Sequence, residues 1–115
     1  MRLVSSKMCM LKDIGQNDNL FGGNMLKWVD EISAIYAHMT TKEKRMVTLK
    51  FDEMVFKKPV KLGNIVEFYC GNSVIGTSSI RFDIEGKIDE EIVFRTTAVF
   101  VAVDENGNKK EIDKN

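Results

Sequence analysis

A chain of 115 residues, 43% apolar and 30% charged, carries enough apolar material for one ordinary core and too much for a disordered tail. Seventeen basic side chains offset seventeen acidic ones, so no overall field draws the chain to nucleic acid or to an anionic membrane. Two cysteines without a CxxC pair and a single histidine argue against a disulfide framework or a metal site, and no apolar run approaches the ~20 residues of a membrane span. The expected setting is a reducing cytoplasm.

The chain opens on a strand and a loop, and a helix is expected from about Gly22 to Met39. At 100° per residue, Leu26, Ser33, Val29, Tyr36, Met25, Ile32, Met39 and Trp28 fill an arc of about 160°, which Ala37 extends. Asn24, Lys27, Glu31 and His38 lie opposite. Asp30 falls on the seam, about 20° from both Gly23 and Ala37. A carboxylate there is neither fully solvated nor in the core, which is a place for a functional acid.

Four strands follow. VTLKF places Val47, Leu49 and Phe51 on one face, and IVEFYC does the same for Val66, Phe68 and Cys70. GNSVIG and EGKIDEE read as hairpin turns. Between them, Ile80, Phe82 and Ile84 alternate with Arg81, Asp83 and Glu85. The run from Ile92 to Val103 is β-branched and aromatic on both parities, which marks a central strand covered on both faces. DENGNKK reads as a turn and a frayed end. One apolar helix beside about five antiparallel strands predicts an α+β domain with the sheet curved around the helix. No repeat or linker divides residues 1–115, so one domain is expected.

The chemistry concentrates in Asn17-Asp18-Asn19-Leu20-Phe21-Gly22-Gly23, with Asp30 seven residues on. Two glycines opening a long helix weaken it and so need a reason. Either they only turn the chain, or they let a ligand approach the first-turn N–H groups. Those donors lack intrahelical acceptors, and with the helix dipole they stabilise an oxyanion or a polarised carbonyl.

The stretch NDNLFGGNMLKWVD resembles the short bacterial acyl-CoA thioesterases of the hot dog fold, the YciA type. The resemblance continues in order through RMVTLKFDEMVF, KKPVKLGNIVEFYC, GTSSIRFDIEG and TTAVFVAVDENGN. It implies an acyl-CoA thioester hydrolase in which Asp30 is the catalytic carboxylate and Asn17 its polar partner from another protomer. Gly23 N–H would hold the thioester carbonyl, with Phe21 and Gly22 beside it. Arg45 and the turn Gly76-Thr77-Ser78-Ser79 would bind coenzyme A, Arg45 as a phosphate partner. The resemblance also implies no metal and no cofactor beyond coenzyme A as part of substrate and product, and a homo-oligomer, a dimer at least and a hexamer as the fuller form. Glu31-Ile32-Ser33 replaces small residues common in the family after the aspartate. Asp18 and Asn19 stand where the family has a small and an acidic residue, the connection after the helix is one residue longer, and the C-terminus is shorter than in many relatives, so that any tail contact of theirs is expected to be absent.

A non-catalytic acyl-CoA-binding regulator of the same fold is the alternative, but the Asn17 and Asp30 pair favours the enzyme. A dehydratase of this fold wants a histidine in its site, and His38 sits on the polar side, two turns from Asp30. Cys9 and Cys70 read as packing residues, the seven methionines as core residues, and Lys57, Lys58 and Lys61 as solvated lysines near a turn.

Overall fold

The computed structural model describes residues 1–113. Strand β1 (Arg2–Met8) leads through two short 3-10 turns, Leu11–Asp13 and Gln16–Asp18, into helix α1 (Gly22–Thr41). Five strands follow: β2 (Met46–Phe51), β3 (Val55–Phe56), β4 (Ile65–Ile75), β5 (Ser79–Ile88) and β6 (Glu91–Ala102). They form one antiparallel sheet in the order β1-β4-β5-β6-β2, with the two-residue β3 added to β6. The sheet therefore has six strands, the sixth too short to announce itself by alternation.

Helix α1 lies across the concave face. Met25, Trp28, Val29, Ile32, Tyr36 and Ala37 are buried against Val66, Phe68, Cys70, Ile80, Phe82, Ile84, Phe94, Ala98 and Phe100. The Trp28 ring meets Phe68 edge-on at 6.5 Å, and Tyr36 lies 4.7 Å from Phe82, which stacks on Phe100. Leu26 and Met39, although within the apolar arc, remain 37% and 42% exposed, whereas Trp28 and Ala37 at its two margins are buried. Of the seven methionines only Met25 is buried; Met46 and Met54 pack on the core's margin, and the others are exposed, contrary to the core role expected of them. The helix runs two residues past Met39, to Thr41, whose Oγ1 donates to the Ala37 carbonyl. It ends at Lys42, whose left-handed backbone (φ 62°) sends its N–H to the His38 carbonyl.

The strand register shifts at four places, between Leu3 and Ser5, Thr48 and Lys50, Gly71 and Val74, and Gly86 and Lys87. In β2 the register with β6 shifts between Thr48 and Lys50. That bulge breaks the expected face of Val47, Leu49 and Phe51: Phe51 packs on the core, whereas Val47 and Leu49 are 47% and 61% exposed. GNSVIG is not a hairpin turn. It continues β4 through a bulge between Gly71 and Val74, where Asn72 adopts a left-handed φ of 54°. The chain turns after it, at Gly76–Ser78. EGKIDEE does contain the β5–β6 turn, reduced to Asp89 and Glu90, both at positive φ. Gly86 in β5 has a steric reason: a Cβ there would stand 3.0 Å from Val66 Cγ1 and 3.2 Å from Phe68 Cε1.

The C-terminal segment is docked rather than frayed. Asp104 Oδ1 accepts the N–H groups of Asn106 and Asn108 to close the expected turn. Lys110 N–H then bonds the Ala102 carbonyl and Ile112 N–H the Thr77 carbonyl, and Ile112 is 2% exposed. Glu43, itself 8% exposed, anchors this tail: it accepts Lys110 Nζ at 2.7 Å and Asp113 N–H at 3.1 Å. Those bonds hold the Glu43 carboxyl below its ordinary 4.5, the Lys110 ammonium foremost.

Two outcomes follow for stability. Gly86→Ala overpacks a closed site and is expected to cost about 1–3 kcal/mol in denaturant unfolding. A depressed Glu43 pKa means that its contribution is present above about pH 4.5 and lost as the pH falls below it. Thermal unfolding across pH is therefore expected to show an acid limb that Glu43→Gln flattens.

Candidate active site

The loop before α1 is pinched at its base. Asp13 carries the carbonyl that accepts Phe21 N–H at 3.0 Å, Gly15 N–H bonds the Asn19 carbonyl, and Leu20 N–H bonds the Val60 carbonyl at 2.7 Å. Asn17 and Asp18 form the exposed tip, both with left-handed backbones, at φ 63° and 58°. Short polar side chains tolerate that region best, which accounts for Asn and Asp at the turn.

The glycines have separate reasons. A Cβ at Gly23 would stand 2.9 Å from Phe21 Cε2, and one at Gly15 3.1 Å from Phe21 Cδ1, so a side chain at either position would have to displace the exposed Phe21 ring. Gly22 has nothing within 4 Å of its missing Cβ, and no neighbour within the chain explains it. The N–H groups of Asn24 and Met25 turn back to the Phe21 carbonyl, while those of Gly22 and Gly23 have no acceptor among the described residues. The N-terminus of a 20-residue helix thus presents two free donors and its positive dipole end to the outside.

Asp30 sits two turns further along the same side of α1, about 10 Å up the axis from Gly23. Its Oδ1 accepts Thr48 Oγ1 at 2.7 Å. Sequence reasoning missed Thr48, because the β2 bulge lets it share the inner face with Phe51, which strict alternation forbids. Asp30 is exposed in the single chain, so the partial desolvation expected of it is absent here and has to come from a bound ligand or a second copy.

Arg45 and Gly76–Ser79 lie at the opposite end of the sheet, on either side of the end of β6. The Arg45 carbonyl accepts Val103 N–H, the Ser78 carbonyl accepts Ala102 N–H, and Gly76 N–H closes the turn on the Ser79 carbonyl. Arg45 lines an open cleft of about 320 Å³ with Lys42, Glu43, Lys44 and Lys110. Asn17, Phe21, Gly22 and Gly23 therefore gather at one end of α1, Arg45 and the GTSS turn at the other, and Asp30 stands between them.

The remaining candidates stay outside. His38 is exposed in the last turn of α1 and its Nδ1 faces the Glu43 carbonyl. Burial pushes the Cys70 thiol up to about 12, and burial followed by the Asp13 charge raises that of Cys9, so both are inert packing groups. Lys57, Lys58 and Lys61 are exposed, and Lys58 pairs with Glu91 at 2.7 Å. Among the described residues no three His, Cys, Asp or Glu side chains converge to hold a metal ion, and no helix is long and apolar enough to cross a membrane.

Residues 17–94 match the family described as Thioesterase superfamily. The acyl-CoA thioester hydrolase YciA of Salmonella typhimurium is 30% identical, over 96% of this chain and 89% of that one. A hexameric thioesterase from Yersinia pestis superposes with a TM-score of 0.91 at 30% identity, covering 98% of this chain and 96% of the other. An asparagine-to-alanine variant of an acyl-CoA hydrolase from Staphylococcus aureus, in complex with coenzyme A, superposes with a TM-score of 0.87 at 28% identity, over 94% of this chain and 68% of that one. A helix held in the concave face of an antiparallel sheet, opened by Phe-Gly-Gly and carrying Asp30, together with these likenesses along nearly the whole chain, makes this protein a member of the thioesterase superfamily of the hot dog fold, similar to the YciA acyl-CoA thioester hydrolases.

Proposed function

We propose that the protein hydrolyses acyl-CoA thioesters to a free carboxylic acid and coenzyme A, as one hot dog domain over residues 1–115 that works as a homo-oligomer in the cytoplasm. The observation that carries this reading is the placement of two free helix N-terminal donors and a threonine-held carboxylate on one side of α1. Gly23 N–H receives the thioester carbonyl oxygen and stabilises the negative charge that grows on it during attack. Asp30 either activates the attacking water or attacks the carbonyl itself. The departing thiolate needs little help from an acid, since thiols ionise near pH 8.5, which suits a site without histidine. No cofactor or metal enters such a reaction.

One chain does not complete the site, because about 10 Å of helix separates Gly23 from its own Asp30. The hexameric assembly of the Yersinia pestis thioesterase supports a shared site, and the sheet offers an edge for it. That edge is β2, and not the long last strand, which β5 and β2 flank on both sides. Pairing two copies there would cover Val47 and Leu49 and bring the Asn17 loop of one copy to Asp30 of the other. We propose a dimer built in this way, three of which stack into a hexamer.

Structures of the Staphylococcus aureus hydrolase include variants that lack an asparagine, an aspartate or a threonine. There the asparagine precedes the aspartate by fifteen positions. In this chain that position is Gly15, where a side chain would run into Phe21. Asn17, two residues later at the loop's open tip, is the carboxamide available in its place, and it orients the carbonyl or the water. Thr48 takes the threonine's part by holding the Asp30 carboxylate.

The far cleft suits the phosphates of coenzyme A. From Asp30 to Lys42 the helix axis rises about 18 Å. The pantetheine arm, two amide units with their methylenes, spans about as much as five extended residues, ~17 Å. Arg45 then meets phosphate with a planar fork of donors, and the turn Gly76, Thr77, Ser78 and Ser79 stands across the end of β6 from it.

Two experiments test this reading. Asp30→Ala and Asn17→Ala chains, each expected to be slower by a factor on the order of a hundred or more, regain activity when refolded together, since a mixed dimer holds one intact site. Free thiol released from an acyl-CoA panel gives the rate; no recovery in mixed dimers shown to have formed refutes the shared site. Thr48→Val keeps the shape and removes one charge-assisted hydrogen bond, so kcat is expected to fall by about tenfold with the thermal midpoint unchanged.

A further inference from the structure

Asn24 is the third residue of α1, beside the two free donors and off the apolar face. Its backbone N–H bonds the Phe21 carbonyl, as a first helical turn requires, but its side chain leaves the helix: Nδ2 donates to the Asp13 carbonyl at 3.0 Å. The same carbonyl accepts Phe21 N–H at 3.0 Å. One oxygen therefore ties both the start of the helix and a side chain inside it to the residue that opens the loop.

That oxygen is itself fixed. Asp13 is 5% exposed, and its carboxylate accepts Met10 N–H at 2.9 Å and Lys12 Nζ at 3.3 Å. The Met10 bond foremost, then the Lys12 ammonium, outweigh burial and hold the carboxyl below its ordinary value. Between the two pinned ends, Asp13 and Phe21, the chain makes one small excursion with Asn17 at its tip. Removing the Asn24 donor leaves the base of this excursion tied by backbone bonds alone, Phe21 N–H to the Asp13 carbonyl and Gly15 N–H to the Asn19 carbonyl.

We propose that Asn24 is a positioning residue: by bonding the Asp13 carbonyl it holds the Asn17 loop in register with the Gly22 and Gly23 donors of α1. The proposal rests on the reading of Asn17 and Gly23 as groups that meet the thioester. Asn24 touches no reacting atom, so its effect falls on the rate of the bound complex rather than on substrate affinity.

Asn24→Leu is the informative variant. Leucine is a better helix former than asparagine and carries no charge to disturb the helix N-terminus, but it cannot donate. The thermal midpoint is expected to hold or rise, while kcat falls about tenfold with KM within twofold of wild type. The amide protons of Phe21 and Gly15 are expected to exchange about tenfold faster with solvent. Asn24→Gln, which returns a carboxamide donor, is expected to recover most of the lost kcat. Unchanged exchange at Phe21 and Gly15 in Asn24→Leu overturns the proposal, as does wild-type kcat, or a kcat loss that only accompanies a falling thermal midpoint. If the wild type releases no thiol from any acyl-CoA, the hydrolase reading fails, and amide exchange alone still decides whether Asn24 pins the loop.

Discussion

Met25, Trp28, Val29, Ile32, Tyr36 and Ala37 sink one side of α1 into the concave sheet, and that burial fixes the helix's rotation about its own axis. Each large side chain among them gains roughly 1.5–3 kcal/mol from leaving water. Turning the helix by a single residue would expose several of them at once. With the rotation set, the side bearing Gly23 and Asp30 can only face the gap between the helix and the edge strand β2. The position of the carboxylate is thus a consequence of core packing on the neighbouring face.

The strand irregularities act on that frame. A regular β2 would keep strict alternation, and Thr48 and Phe51 could not face the same side. The bulge between Thr48 and Lys50 lets Thr48 reach Asp30 while Phe51 still packs on the core. It also leaves Val47 and Leu49 uncovered on the edge that a second copy would meet. One local irregularity therefore serves both the carboxylate and the proposed interface.

The two ends of α1 are built differently. At the N-terminus, Phe21 packs where Gly15 and Gly23 lack side chains, and hydrogen bonds to the Asp13 carbonyl hold the loop while the first-turn donors stay free. At the C-terminus the groups that follow the helix close it off: Lys42 caps the helix, His38 faces the Glu43 carbonyl, and the Glu43 carboxylate clamps the returning tail. A helix with an open positive end and a closed negative end favours an anion or an oxyanion at the first and leaves cationic side chains to line the cleft at the second.

Local pattern alone was enough for the helix, for the faces of Val66, Phe68 and Cys70 and of Ile80, Phe82 and Ile84, and for a β6 covered on both sides, because amphipathic periodicity is a property of neighbouring residues. It also singled out Phe-Gly-Gly with Asp30, since unusual glycines at a helix start and a carboxylate on the seam are visible on a wheel. The family resemblance added roles to those positions. What only the tertiary structure decided depends on contacts between distant segments. The bulges at Thr48–Lys50 and Gly71–Val74 follow from register with β6 and β5, and so the Thr48 bond to Asp30 could not be read from VTLKF. The glycines read either as a turn or as room for a ligand, and only the fold shows that a side chain at Gly23 would first meet the Phe21 ring. The tail of an apparently frayed end is held by Glu43, some seventy residues earlier, because a buried carboxylate needs an ammonium and an N–H to offset its lost hydration.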